Sequence, residues 1–86
     1  MSEIRQVVIR RFGQSRTHVA MVPADLIRSS GAFGKTYEAV SGPVGARCTA
    51  RLRGEIVVMR HASVECGPCR VLTGIASTDD LAGGAS

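Results

Sequence analysis

Along most of this chain, apolar and polar residues alternate with a period near two, which predicts strands. Arg5 to Arg11, centred on Val7, Val8 and Ile9, is short and β-branched and runs into Phe12-Gly13-Gln14-Ser15, the composition of a strand entering a turn. Thr17 to Val22 continues as a second strand, with Val19 and Met21 on one face and His18, Ala20 and Val22 on the other. Pro23 has no N–H for a ladder but suits the first turn of a helix. A short helix is therefore expected over Pro23 to Ser30, closed by Gly31, with Asp25 near its positive end and Arg28 near its negative end.

Lys35 to Val40 reads as the next strand, and Ser41 to Gly45 as a loop. Arg47, Thr49, Arg51 and Arg53 then alternate with Cys48, Ala50 and Leu52, predicting a half-buried strand with a guanidinium-rich outer face. Gly54 turns into Glu55 to Arg60, a more continuously apolar strand. Val64 to Cys66 and Arg70 to Ile75 are expected to pair as a hairpin around Gly67-Pro68. The fold class expected is mainly β, a small barrel or swapped-hairpin dimer with one short helix. It forms a single domain over residues 1–77, with a flexible tail over 78–86 that has little to bury.

Composition narrows the function. A chain of 86 residues has room for one core, and a core this small makes homo-oligomerisation attractive as a source of further burial. With 44% hydrophobic and 21% charged residues it is a folding sequence. Phe12, Phe33 and Tyr37 are too few to hold single-stranded bases on stacked rings. Eleven basic residues, ten of them Arg, face seven acidic ones, and the surplus lies before Val71. That balance suits a polyanionic partner, and Arg in place of Lys favours forked contacts to phosphate or carboxylate, although a merely soluble surface would look similar. The longest uncharged run near the start, Gln6 to Ile9, is too short for a signal-peptide core, and no stretch approaches a membrane span, so a cytoplasmic protein with no membrane partner is expected. Three cysteines cannot pair completely within one chain, which points to reduced thiols or metal ligation.

Ile9-Arg10-Arg11-Phe12-Gly13-Gln14-Ser15, followed by Val19-Ala20-Met21-Val22-Pro23-Ala24-Asp25-Leu26-Ile27, resembles the opening of the AbrB/MazE-type swapped-hairpin family. The resemblance covers about residues 5–31. It implies two chains interleaving their hairpins into one β-barrel, with the basic first strand and turn in the DNA major groove. On that basis Arg10, Arg11, Gln14, Ser15 and Arg16 are expected DNA contacts.

Cys66-Gly67-Pro68-Cys69 matches the thioredoxin redox motif, but only seventeen residues follow it, too few for the supporting sheet, and Glu65 would raise the neighbouring thiol's pKa. The same pair can act as a knuckle of a structural zinc site, with Cys48 and His61 completing a Cys3His set, since a two-residue spacer lets one tight turn present two thiolates. Alternatively the thiols are inert and Cys48 packs as a small hydrophobe. His18 reads as an ordinary packed or surface histidine, no serine lies in a nucleophile motif, and Gly31 to Thr36 only imitates the end of a phosphate loop, so no enzyme activity is expected. Arg47, Arg51 and Arg53 on one strand would project at steps of about 6.5–7 Å, close to the spacing of successive phosphates, and Arg5, Arg10, Arg11 and Arg16 would extend that surface. The leading expectation is a basic, dimeric, double-stranded DNA-binding protein such as a transcriptional regulator or antitoxin. The alternatives are a structural or inhibitory subunit, for example of a phage assembly, docking on an acidic protein surface, and a small zinc-binding module.

Overall fold

The computed structural model describes residues 3–83. Its centre is one antiparallel sheet built from β1 (Ile4–Arg11), β2 (Thr17–Pro23), β3 (Arg28–Ala32), β4 (Lys35–Ser41) and β7 (Glu55–Met59) in the order β2-β1-β7-β4-β3. The short strands β5 (Val44–Gly45) and β6 (Arg51–Leu52) form a second, two-stranded sheet, and α1 (Gly67–Thr73) and α2 (Thr78–Gly83) close the described chain. The protein is mainly β, as the alternation predicts, but among the described residues the large sheet stays open and forms no closed barrel.

Both faces of the large sheet are covered. Val7, Ile9, Ala20, Val22, Val40, Ile56 and Val58 line one face and pack with Leu52 of the small sheet. Val8 and Val19 on the other face pack with Ala46, Val64, Cys66, Cys69 and Ile75. This explains why Val7-Val8-Ile9 and Ile56-Val57-Val58 are continuously apolar: strands buried on two sides have no solvent phase to alternate with. Phe12 and Tyr37 stack on each other, ring centroids 6.1 Å apart.

Four expectations from the sequence are corrected. The helix after Pro23 is one 3-10 turn, Ala24–Leu26; Ile27 then packs against the first core, and the chain continues directly into β3. The predicted Arg47 to Arg53 strand is a hairpin turn followed by the two-residue β6, with Thr49 in the left-handed region at φ 73. Gly67-Pro68 does not centre a hairpin but starts α1, where proline's fixed φ and missing N–H suit the first turn. Of the tail expected to be mobile, Thr78–Gly83 is helical, with the Asp80 carboxylate accepting from the N–H groups of Ala76 and Ser77 and Leu81 packed on the second core. Residues 84–86 lie outside the described residues. No described helix is long and apolar enough to cross a membrane.

Candidate metal centre

The outer edge of β2 would be a row of unpaired backbone groups, and two segments from far along the chain cover it. The Val19 carbonyl accepts from the Arg47 N–H at 2.8 Å, and Ala20 bridges Ala46, which docks the β5–β6 turn. The Thr17 carbonyl accepts from the Cys66 N–H at 3.0 Å, which docks the chain entering α1. The buried Thr17 hydroxyl fixes that second segment further, donating to the Ser63 carbonyl at 2.5 Å and accepting from the Glu65 N–H at 2.8 Å. His18 lies between these two anchor points.

The consequence is a four-donor cluster. His18, Cys48, Cys66 and Cys69 place one ligand atom each within 4.8 Å of all the others. His18 Nδ1 lies 3.5 Å from Cys48 Sγ and 4.0 Å from Cys69 Sγ. An ion at metal–nitrogen and metal–sulfur lengths of about 2.0 and 2.3 Å sets tetrahedral donors about 3.5–3.8 Å apart, so the His18–Cys48 separation already suits a shared ion and the His18–Cys69 separation is slightly longer. The local folds that present the thiols are simple. The β5–β6 turn is closed by Ala46 N–H to the Ala50 carbonyl at 2.7 Å and Thr49 N–H to the Ala46 carbonyl at 3.0 Å, and carries Cys48 at its tip. Cys66 caps α1, which places Cys69 inside its first turn; Gly74, left-handed at φ 72, ends the helix.

Burial shapes the electrostatics. Cys66, Cys69 and His18 are buried and Cys48 is half-buried. Burial, aided by the nearby Arg16 cation, lowers the His18 pKa and favours the neutral imidazole that ligates metals. Burial pushes the Cys69 thiol up to about 11. Burial also opposes ionisation of Cys48, but hydrogen bonding from the Ala50 backbone and the other two thiols outweighs it and holds Cys48 below its ordinary value. A cation at the centre would reverse the burial penalty for all three thiolates.

His61, expected as the fourth ligand, is exposed in the loop after β7, beside Ser63, Ser77, Thr78 and Asp79, and is replaced in the cluster by His18. One signal for His18 was present in the sequence: alternation places it on the apolar face of β2 with Ala20 and Val22, where a polar ring needs a partner. Thr17 gave no such signal, because its role depends on contacts 46 and 48 residues away.

The residues expected to meet DNA separate into groups. Arg10, Arg11, Gln14, Ser15 and Arg16 surround the β1–β2 turn, with Arg10 Nη1 donating to the Gln14 carbonyl at 2.9 Å. Arg53 lies near the same end, since the Phe12 N–H donates to the Glu55 carbonyl. Arg5 lies at the far end of β1 opposite Val22, and the Arg47 guanidinium sits 3.6 Å from Met21 Sδ. Arg51 and Arg53 flank the buried Leu52, but Arg47 belongs to the turn, so the three do not form one stripe. The one ion pair among the described residues joins Arg60 to Glu38 at 3.4 Å, leaving these seven arginines without a carboxylate partner there. Compared with protein-family models, curated proteins and solved structures, the chain matches none.

Proposed function

We propose that this chain is a small β module whose fold is locked by one structural zinc ion held by His18 Nδ1 and the thiolates of Cys48, Cys66 and Cys69. The observation that carries this reading is the convergence of four N and S donors from three remote segments to within 4.8 Å of one another. Three sulfurs and one imidazole form a donor set of the softness zinc takes in structural sites, and four protein ligands leave no open position for substrate. Cross-linking residues 18, 48 and 66–69 closes long loops, which adds most to a chain with so small a core. Protein purified under reducing conditions is expected to carry one zinc per chain and to lose thermal stability on chelation. His18→Ala and Cys48→Ala are expected to lose the metal and His61→Ala to keep it. A zinc-free wild-type protein, or zinc lost with His61 and retained without His18, contradicts the assignment.

The unpaired arginines favour a second layer to this reading, that the module presents a basic surface to duplex DNA. Arg11, Arg16 and Arg53, near one end of the large sheet, would supply phosphate contacts, while Arg10 holds its own turn. Arg11→Ala with Arg53→Ala is then expected to reduce the slope of log affinity against log salt by about two. Retention by an acidic protein surface, with no measurable affinity for duplex at low salt, would instead support the docking-subunit alternative.

A further inference from the structure

The two edges of the large sheet are treated differently. β2 is covered by the β5–β6 turn and by the segment entering α1. β3 is bare among the described residues, its backbone pairing with β4 alone. It carries neither proline nor bulge, and its middle, Ser29, Ser30 and Gly31, is small and uncharged, so beyond its short length only Arg28 at its start guards this edge.

The described residues give no reason for the choice of two residues here. Gly31 needs no special backbone conformation, and a Cβ in its place would meet nothing closer than the Lys35 carbonyl oxygen at 3.4 Å. A glycine inside a strand weakens it and often marks the approach of another backbone. Phe33 and Gly34 form the tight turn from β3 to β4 with φ 54 and 74, a conformation that favours Asn-Gly, yet the first position holds a bulky ring that is 93% exposed.

We propose that β3 pairs antiparallel with β3 of a second copy of this chain, about a two-fold axis at Ser30. In a two-residue hairpin the closing pair, here Ala32 and Lys35, exchanges both backbone hydrogen bonds. Ala32, Ser30 and Arg28 therefore point their N–H and C=O groups toward β4, and Ser29 and Gly31 point theirs outward. The axis at Ser30 sets Ser29 of each copy opposite Gly31 of the other, so both pairs exchange two hydrogen bonds and the glycines sit where the backbones meet. It also sets Phe33 of each copy opposite Ile27 of the other and beside Leu26, which is 57% exposed. Ile27 already packs on the first core, so Phe33 extends that core across the interface. The Lys35 end of each hairpin meets the Asp25 end of the other, with opposite charges. A slip of one residue would oppose inward-pointing to outward-pointing groups, and a slip of two would part Phe33 from Ile27.

This pairing uses the edge opposite the metal centre and does not depend on it. Sedimentation of the metal-loaded protein is expected to give a concentration-dependent dimer of about 18 kDa, twice the 9.0 kDa chain, with the Ser29 and Gly31 amides gaining exchange protection as the dimer fills. Ser29→Pro removes an outward N–H without touching the β3–β4 ladder, and Phe33→Asn supplies the residue the turn prefers. Both are expected to be monomeric with unchanged zinc content, and Phe33→Asn to melt no lower than the wild-type monomer. A wild-type chain that stays monomeric at millimolar concentration overturns the proposal, as does a dimer that persists in both variants.

Discussion

Thr17 shows how much one side chain can position. Its hydroxyl joins Ser63 and Glu65 and its carbonyl holds Cys66, so two backbone groups of the segment entering α1 depend on a single oxygen buried at the sheet edge. Thr17→Val keeps the shape and removes the hydroxyl, leaving the Glu65 N–H and Ser63 carbonyl without their partner. A loss of about 1–3 kcal/mol is expected, read from chemical denaturation, with zinc retained at reduced affinity. His18 makes a different demand. Because its folded pKa lies below the ordinary 6.5, the unfolded chain takes up the proton first as pH falls. Metal-free protein is therefore expected to hold His18's contribution to stability in full above about pH 6.5 and to lose it progressively below, until native His18 itself titrates; His18→Gln should flatten that part of the profile in thermal melts. Metal affinity should move in the same direction, rising with pH, because thiols must release their protons to ligate.

Among the elements, those whose pattern answers to neighbours close in sequence were legible. β1, β2 and β7 follow from β-branched, apolar runs bounded by turn residues, and β4 from a return to a period of two. Tertiary context decided the rest. Ala24–Leu26 has the composition of a helix start, but Ile27 is drawn into the core and Arg28–Ala32 into a hairpin, so only one turn survives. The alternation around Cys48 imitates a strand, whereas the β5–β6 turn must reverse there to reach β2. The Cys-x-x-Cys spacing marked Cys66 and Cys69 as a candidate ligand pair with Cys48 as a third, beside the alternative of inert thiols, but the choice between His18 and His61 was not legible, because spacing along a chain carries no information about a sheet edge. The elements also differ in what sustains them. The first core lies almost wholly within the large sheet, with only Leu52 and Val44 of the small sheet added, while the β5–β6 turn and α1 pack on Val8 and Val19 through a second core that includes Cys66 and Cys69, and through a few hydrogen bonds. Chelation is expected to speed amide exchange at Arg47, Thr49, Arg70 and Gly74 first, while Ile9, Val40 and Val58 stay protected. Uniform loss of protection would mean that sheet and centre unfold as one unit.

Across the whole molecule, the pieces form a division of labour between two sheet edges and one sheet end. Among the described residues, β2 is sealed by segments that bring three thiols to a histidine, β3 is left bare, and Arg11, Arg16 and Arg53 have no carboxylate partner toward one end of the large sheet. The charge pattern and the cysteine spacing were visible in the sequence; the separation of edges and end is a property of strand order alone. The claim on which the account turns is that one ion joins residues 18, 48, 66 and 69. X-ray absorption at the zinc edge of the purified protein tests it most directly. Three sulfur scatterers near ~2.3 Å and one imidazole nitrogen near ~2.0 Å are expected, with the imidazole signature lost in His18→Ala and kept in His61→Ala. An oxygen-dominated shell, or an imidazole signature that survives removal of His18, would contradict it.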